Sequence, residues 1–317
     1  MKYTKYIGIV LGALYGLLFR IIGNKDSVVN FYNIYSITFV WVTPIVISLI
    51  PILFSKNELY NSKLKLVLYP VLAVLTFWIL ALSSGLEDWI CLLIIGFPFF
   101  IVAGITGLIV GAIIKHNKIN KKLYSIILLP LILNPIENLF PNEIKTYTIT
   151  SSIVIDKRDE TVWNNIIEVP EIKDNEYNAG LFNYLGVPRP IKSKIEQHDG
   201  NVYRVGYFTE HLKLYESISK EEKNRFVNFK MHIDKSQLRN KPTDQHILKS
   251  NNFKFENISY SLKPINENKT ELTLKCEYTI ESKMNGYANF WASSIIKDFE
   301  VRLLKSLKTK IENLHNL

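Results

Sequence analysis

Polar residues on predicted strands that are otherwise apolar are the positions in this sequence that could carry chemistry. Glu216 is the clearest of them, because its neighbours on the same side of a predicted strand are all aliphatic. Those neighbours are Leu212, Leu214 and Ile218. A carboxyl group that points into a protein core either holds its proton or pairs with a cation. We consider Arg189 and His246 as its candidate partners.

Two interpretations of these residues stay open. In the first, Glu216, Asp244 and His246 form an acid/base group that lines a cavity, because proton transfer needs positioned carboxyl and imidazole groups. In the second, Glu216 and Arg189 form a structural pair, while Asp244 and His246 tie a loop to the sheet. The sequence has no recognisable metal-ligand cluster, nucleophile elbow or phosphate-binding loop. We therefore predict no metal and no cofactor, and the sequence favours binding over catalysis.

The elements that position these residues differ sharply between the two parts of the 317-residue chain. Residues 1–141 carry 11 Lys or Arg and 5 Asp or Glu between long apolar stretches, whereas residues 142–317 carry 27 and 24. This division predicts a membrane domain, 1–141, followed by a water-exposed domain, 142–317. The second part has no concentrated basic face, which argues against nucleic-acid binding. Cys91 and Cys276 lie in different parts, so we expect no disulfide framework.

The first part is predicted to be an all-α transmembrane bundle, because a bilayer crossing needs about 20 mostly apolar residues. Four segments fit this requirement: 6–22, 35–54, 66–82 and 89–114. A fifth segment, 123–140, is weakened by its prolines and by Glu137, and it either crosses or lies in the interface. Glycines at short spacing form predicted packing faces, within one chain or between copies in a homo-oligomer. These are Gly8, Gly12 and Gly16 in the first segment and Gly104, Gly107 and Gly111 in the fourth.

Basic residues predict the orientation of this bundle in the cytoplasmic membrane. Lysines precede the first segment, lie between the second and third, and follow the fourth, which indicates a cytoplasmic N-terminus. They are Lys2, Lys5, Lys56, Lys63, Lys65, Lys115, Lys118, Lys121 and Lys122, against Lys25 and Arg20 on the opposite side. Five crossings, which the sequence favours, would place the second domain outside, and four would keep it inside. Arg20 either contacts Glu87 or Asp88 between helices or reaches up to water.

From residue 145 the hydrophobic period changes to two, which is typical of half-buried strands. A first strand reaching Ile155 leads to a short helix capped by Asp156, and a loop with a second short helix covers 171–191. Further strands are predicted at 192–198, 202–209, 211–219, 225–233, 245–250, 253–264 and 270–281, with a bulge between Phe255 and Ile258. A long helix, 284–314, ends the chain. Its predicted core stripe is Tyr287, Trp291, Ile295, Phe299, Leu303, Leu307 and Ile311.

This order of elements resembles the SRPBCC superfamily, the START-like and polyketide-cyclase-like helix-grip domains. Local sequences strengthen the resemblance to its membrane-attached bacterial members. They are Val162-Trp163, Val169-Pro170-Glu171-Ile172, Gly186-Val187-Pro188-Arg189-Pro190, Asp244-Gln245-His246 and the stretch from Asn285 to Trp291. The resemblance covers about 145–314 and implies an α+β fold in which a curved antiparallel sheet wraps around the long helix. It also implies a deep cavity for an apolar or amphipathic ligand.

These features predict a membrane-anchored binding module that takes a hydrophobic small molecule or lipid into a helix-grip cavity. The candidate ligand-binding residues are Arg189, Glu216, His246, Tyr278, Tyr287 and Trp291. One alternative is a cyclase- or dehydratase-like enzyme that uses Glu216, Asp244 and His246 on an apolar substrate. Another is a sensory or interaction protein whose second domain reports ligand occupancy to the bundle.

Overall fold

The computed structural model describes residues 4–23, 36–55, 62–117, 122–198 and 200–313. It divides into two compact units. The first contains Met1–Asn142 and Ser282–Met284, and the second contains Glu143–Glu281 and Asn285–Leu317. Several residues on which the predicted orientation depends lie outside the described residues: Lys2, Lys25, Lys56, Lys118 and Lys121. So do Tyr35 and His315.

The first unit is helical throughout its described elements. Prolines begin two of its helices, since Pro44 and Pro130 stand at positions where a helix leaves its backbone N–H groups unpaired. Two π-helical turns, Thr38–Val42 and Leu92–Gly96, each run directly into a following α-helix. The α-helices are α1 Thr4–Ile22, α2 Thr43–Leu53, α3 Lys63–Ser83, α4 Trp89–Cys91, α5 Phe97–Asn117 and α6 Leu129–Asn138, the last preceded by a 3₁₀ turn, Lys122–Leu128.

Two helices of the described residues are long and apolar enough to cross a membrane by length and composition: Lys63–Ser83 and Trp89–Ile114. Three further apolar helices are shorter, namely Tyr6–Ile22, Thr38–Leu53 and Ser125–Asn138. The predicted bundle of four or five spans is therefore not shown. The fifth segment falls short because a 3₁₀ turn occupies its first half and leaves only the ten residues of α6.

The glycines of the first segment pack against other helices of the same unit. A Cβ atom built on Gly12 would lie 2.7 Å from the Ile47 carbonyl oxygen, and one on Gly16 would lie 2.9 Å from the Phe77 ring. In α5, a Cβ atom on Gly107 would collide with the Leu66 backbone. Small residues at these points let helix backbones approach closely, as the sequence predicts.

The predicted contact between Arg20 and a carboxylate exists, and Glu87 is the partner. Arg20 is only 1% exposed, so its side chain does not extend to water. Its guanidinium donates one hydrogen bond to the Glu87 carboxylate and another, of 2.8 Å, to the Leu86 carbonyl oxygen. A charge buried among apolar helices needs such a partner, since its desolvation is costly.

The second unit contains a seven-stranded sheet in the order β1-β7-β6-β5-β4-β3-β2, in which each of the sequential neighbours from β2 to β7 pairs antiparallel. The strands are β1 Glu143–Ile155, β2 Pro190–His198, β3 Asn201–Phe208, β4 Lys213–Glu222, β5 Phe226–His232, β6 Phe253–Asn266 and β7 Lys269–Ser282. A register shift between Phe255 and Asn257 confirms the predicted bulge. The helix α9, Asn285–Glu312, follows the last strand and confirms the predicted C-terminal helix.

Two local predictions are wrong. The segment predicted as a strand at 245–250 is a π-helical turn, Asp244–Leu248, because Asp244 is drawn into a side-chain ion pair instead of a strand ladder. The first short helix, α7, spans Asp159–Ile167, and Arg158, not Asp156, occupies the position before it. A second short helix, α8, spans Leu181–Tyr184.

The predicted stripe along α9 is correct only near its C-terminal end. Leu303, Leu307 and Ile311 are buried against the sheet, together with Leu304. Nearer the N-terminus, Ile296 packs against the sheet, and Tyr287, Trp291 and Ile295 belong to neither apolar cluster of this unit. A four-residue spacing on a helix of 3.6 residues per turn drifts by about 40° at each step. Over the seven predicted positions this drift moves the stripe off the core.

Candidate functional site

The side of the sheet that packs against α9, hereafter the inner face, is mostly apolar. On β5, β6 and β7 it presents Val227, Phe229, Tyr260, Leu262, Leu272 and Leu274 to the C-terminal half of α9. Cys276, Tyr278 and Ile280 of β7 continue the surface toward Ile296. The alternation of side chains along each strand produces this surface. Polar groups buried on it are the candidates for function.

Glu216 lies on this surface, and its partner is Arg204. The two residues stand opposite each other on β3 and β4, and the Arg204 guanidinium donates to the Glu216 carboxylate. Arg204 also donates to the carbonyl oxygens of Ile167, at 2.9 Å, and Ile166, at 3.1 Å. Its guanidinium lies 4.9 Å from the centre of the Phe229 ring. The predicted pairing of Glu216 with Arg189 or His246 is therefore corrected, since the cross-strand neighbour is nearer.

Tyr260 adds a phenol to the Arg204–Glu216 pair. Burial raises the pKa of Tyr260 to about 12, and the Glu216 and Glu300 carboxylates act in the same direction while Arg204 opposes them. Burial lowers the pKa of Arg204, but Glu216 and then Tyr260 more than offset that and raise it. Arg204 is therefore charged at neutral pH, and Tyr260 is a neutral hydrogen-bonding group.

Asp244 is held by a different arginine. Its carboxylate accepts hydrogen bonds from both Nε and Nη2 of Arg239, at 3.0 and 2.6 Å, and from the Arg239 backbone N–H. Glu210 and Lys241 extend this cluster, because Glu210 accepts from Arg239 at 2.7 Å and from Lys241. Asp244 is 2% exposed. These bonds tie the 239–244 loop together, and they agree with the structural interpretation of Asp244.

Arg189 and His246 occupy separate places from the Arg204–Glu216 pair. Arg189 donates to the Asp174 carboxylate and, at 3.3 Å, to the Ile172 carbonyl oxygen. His246 is half-buried in the π-helical turn that begins at Asp244. The predicted acid/base group of Glu216, Asp244 and His246 is thus divided between a strand and a turn, and each carboxylate in it is bound by its own arginine.

The aromatic residues that were predicted to bind a ligand do not share one surface. Tyr278 is fully buried on the inner face, where its hydroxyl donates a 2.7 Å hydrogen bond to Asn289 and its ring stacks between Tyr147 and Phe253. Burial raises the pKa of Tyr278 to about 12. Tyr287 and Trp291 lie off that surface because of the helical drift described above. Burial raises the pKa of Tyr287, and an interaction with Trp291 partly offsets the rise.

Glu300 is the buried carboxyl group that the sequence analysis missed. It lies on α9, is 1% exposed, and accepts a 2.6 Å hydrogen bond from the Ser151 hydroxyl of β1 through Oε2. Its other oxygen, Oε1, has no hydrogen-bond partner among the described residues. A signal was present, because Glu300 interrupts the apolar series that runs from Ile296 to Leu303 and Leu304. The predicted stripe, with its spacing of four residues, did not include Glu300.

A surface cleft of about 460 Å³ lies between the 175–178 segment and α9. It is lined by polar side chains, including Asn175, Asn178, Arg302, Lys305 and Thr309. These helix positions are not those that contact the sheet, so this cleft is not the predicted cavity between the sheet and the helix. Within each unit taken by itself, the described residues bring no three His, Cys, Asp or Glu ligand atoms together at metal-binding separations.

Comparisons with known proteins found similar chains among solved structures only. No protein-family model matches the chain, and no curated protein matches it. Among solved structures, the protein XoxI from Bacillus cereus is 13% identical over 53% of this chain and 96% of its own length, with a TM-score of 0.35. A START superfamily protein from Mycobacterium smegmatis is 10% identical over 53% and 98%, with a TM-score of 0.35. The Zhui aromatase/cyclase from Streptomyces is 11% identical over 53% and 95%, with a TM-score of 0.34. The helix-grip description of the second unit rests on its own strand order and helix packing.

Proposed function

We propose that this chain is a membrane-anchored binding module. The first unit lies in a bilayer, and the second takes a hydrophobic or amphipathic small molecule or lipid between its inner face and α9. The alternatives are a cyclase- or dehydratase-like enzyme that acts on an apolar substrate and a ligand-sensing or interaction protein without catalysis.

The observation that carries the anchoring is the apolar outer surface of the first unit. Its long helices pack through one side and expose large aliphatic and aromatic side chains on the other. A protein surface in water rarely exposes contiguous apolar patches beyond a few hundred Å². The exposed side chains include Val10, Leu14, Leu18, Leu68, Leu75, Ile79, Phe97, Ile101, Ile105 and Ile109. A bilayer would cover this surface.

The inner face supports the binding part of the proposal. Ligand sites for apolar molecules are lined mostly by aliphatic and aromatic groups, with a few polar groups that orient the ligand. Tyr260, Tyr278 and Glu300 are buried polar groups of this kind, set among aliphatic side chains. The enzyme alternative is less favoured, since Glu216 and Asp244 are each bound by an arginine and are not available as a general base.

Orientation follows from the number of crossings. At 1.5 Å per residue, the ten residues of α6 rise about 15 Å, which is about half of the roughly 30 Å hydrocarbon core. An even number of earlier crossings then returns the chain to the side of its N-terminus. We therefore place the second unit in the cytoplasm, in contrast to the five-span topology that the sequence favours. Labelling of an introduced cysteine at exposed Lys275 by a membrane-impermeant reagent, from outside intact cells, would contradict this placement.

Anchoring is tested on membranes from cells that express the full chain. We expect the protein to stay in the pellet after an alkaline carbonate wash and to be released only by detergent. Release by carbonate alone would show that the apolar surface is covered by something other than a bilayer.

Binding is tested by native mass spectrometry and solvent extraction of the detergent-purified full chain. We expect an apolar compound to co-purify. Cys276→Phe fills the inner face and should reduce its occupancy, whereas Lys275→Phe, on the opposite side of the same strand, should retain it. Thermal melting of both variants checks that they fold. Equal occupancy in both variants would remove the inner face as the binding site.

A further inference from the structure

The surface cleft beside α9 is separate from the inner face of the sheet. Its volume of about 460 Å³ lies within the range of roughly 300–1,000 Å³ that is usual for small-molecule sites. One wall is a side of α9, since residues three, four and seven positions apart project from the same side of a helix. That wall consists of Arg302, Lys305, Ser306 and Thr309. The 175–178 segment forms the wall opposite.

The acidic groups of the cleft are already paired. The Asp298 carboxylate accepts a 2.8 Å hydrogen bond from Nε of Arg302. The Glu176 carboxylate accepts from the Lys310 ammonium at 3.2 Å and from the Lys173 backbone N–H at 2.8 Å. The carboxylates of the cleft therefore need no cation from a ligand.

Several hydrogen-bond donors of the cleft, by contrast, have no acceptor among the described residues. The Lys305 ammonium is exposed and forms no ion pair with them. Ser306 is only 2% exposed, yet its hydroxyl makes no hydrogen bond within the part of the chain that the structure describes. The same holds for the Thr309 hydroxyl and for the side-chain amides of Asn175 and Asn178. A buried hydroxyl without a partner is destabilising, so these donors indicate a ligand that supplies acceptors.

Arg302 is held in one position at the wall of the cleft. Its Nε donates to Asp298, and its Nη1 donates a 2.6 Å hydrogen bond to the Asn178 carbonyl oxygen. The guanidinium also lies directly against Gly180, where a Cβ atom would overlap it. Gly180 thus leaves the space that the guanidinium occupies, and the positive charge is positioned before any ligand arrives.

The charges of the cleft favour an anion. Among the described residues that line or adjoin it, three cations stand against two carboxylates, which leaves one positive charge in excess. The cations are Arg302, Lys305 and Lys310, and the carboxylates are Glu176 and Asp298. The excess charge is that of Lys305, the cation of this set without an ion pair. An ammonium group and several neutral donors suit the oxygens of a phosphate group.

We propose that this cleft binds a phosphate ester, either as a free small molecule or as the head group of a lipid. Lys305, Ser306 and Thr309 donate to the phosphate oxygens. Tyr177 and Val301, which also line the cleft, contact the carbon part of the ester. This site goes beyond the proposed function, because it contains none of the residues of the inner face.

The test measures binding to the detergent-purified full chain by isothermal titration calorimetry. The probes are glycerol, glycerol 3-phosphate and dihexanoyl phosphatidic acid, which carries the same phosphate group on a lipid. We expect glycerol 3-phosphate to bind and glycerol not to bind. Lys305→Met should weaken the binding about tenfold, as the loss of one charged hydrogen bond does. Lys308→Met is the matched control, because the Lys308 ammonium on the same helix donates to the Val154 carbonyl oxygen instead.

A pair of glycine variants tests the site without removing a charge. In Gly180→Ala the new methyl group displaces the Arg302 guanidinium, which is the flexible end of a side chain, so we expect the fold to persist and the phosphate affinity to fall. Gly286→Ala is the control, since a Cβ atom at Gly286 meets nothing within 4 Å. Thermal melting of each variant checks its folding.

The outcomes distinguish the two sources of the phosphate and the two sites. Binding of phosphatidic acid but not of glycerol 3-phosphate, with the same loss in Lys305→Met, assigns the cleft to a lipid head group. No binding of either phosphate probe, equal affinity in Lys305→Met and wild type, or equal affinity for glycerol and glycerol 3-phosphate overturns the site. None of these results changes the occupancy of the inner face, which the Cys276→Phe and Lys275→Phe variants measure separately.

Discussion

Arg204 and Glu216 stand directly across from each other on β3 and β4 and form a buried ion pair on the inner face of the sheet. Their side chains are only 7% and 10% exposed. Arg204 is further fixed by two backbone carbonyl oxygens at the end of α7. The pair thus joins two strands to a helix, which is a structural arrangement and not that of a free general base.

Loss of one member of this pair should destabilise the second unit. Glu216→Gln leaves the Arg204 charge buried without its counter-ion, and we expect a loss of about 3 kcal/mol in the free energy of unfolding. The double variant Arg204→Met with Glu216→Leu should recover most of it, because no unpaired charge remains. Thermal and denaturant unfolding of the wild type, Arg204→Met, Glu216→Leu and the double variant completes a double-mutant cycle and measures the coupling. A Glu216→Gln protein that melts like the wild type but loses its ligand would assign Glu216 to binding.

Loss of the Asp244 charge should destabilise mainly the loop that contains it. Asp244→Asn removes the charged partner of Arg239, and we expect a loss of about 2–4 kcal/mol with faster hydrogen exchange in residues 234–250. Lys241→Met is the control, because its pair with Glu210 is exposed to solvent and is worth less than about 1 kcal/mol. Equal effects of the two substitutions would show that the buried bidentate pair contributes no more than the surface one.

Strand positions could be predicted because their side chains alternate, but partners across strands needed one further step. The predicted strands 202–209 and 211–219 flank residue 210, and antiparallel pairing about that point sets Arg204 opposite Glu216. The sequence therefore contained the correct partner. The turn at Asp244 was not predictable by alternation, since a side-chain ion pair decides its conformation.

The long helix α9 shows a different limit of prediction from the sequence. Its existence and its bounds followed from the sequence, yet the assumed stripe took Tyr287 and Trp291 as core residues and passed over Glu300. A period of 3.6 applied over all 28 residues of α9 would have placed Ile296, Glu300, Leu303 and Leu307 on one side. In the first unit, by contrast, the sequence predicts which segments are apolar but not the residues at which each helix begins and ends.

Close packing of α5 on α3 predicts a sharp contrast between two glycines three residues apart. A Cβ atom at Gly107 meets the Leu66 backbone, whereas one at Gly104 meets nothing closer than 3.8 Å. We expect Gly107→Ala to destabilise the first unit by about 1–3 kcal/mol through overpacking. Gly104→Ala should be neutral or should stabilise the helix by about 0.5–1 kcal/mol. Detergent-resistance or thermal melting of the full chain compares them, and similar melting of both variants would contradict this packing.

The buried carboxyl group of α9 predicts how stability changes with pH. Burial raises the pKa of Glu300 above its ordinary value of 4.5, so the folded protein binds this proton more tightly than the unfolded chain. The contribution of Glu300 is fully present below pH 4.5 and falls as the pH rises toward the folded pKa, because the unfolded state releases its proton first. Glu210 acts in the opposite sense, since hydrogen bonds from Lys241 and Arg239 lower its pKa against a smaller effect of burial. The difference in unfolding free energy between wild type and Glu300→Gln isolates the Glu300 contribution, and it should shift in favour of the variant as the pH rises from 4.5. A difference that is flat, or that moves toward the wild type, would mean that folding does not raise the pKa of Glu300.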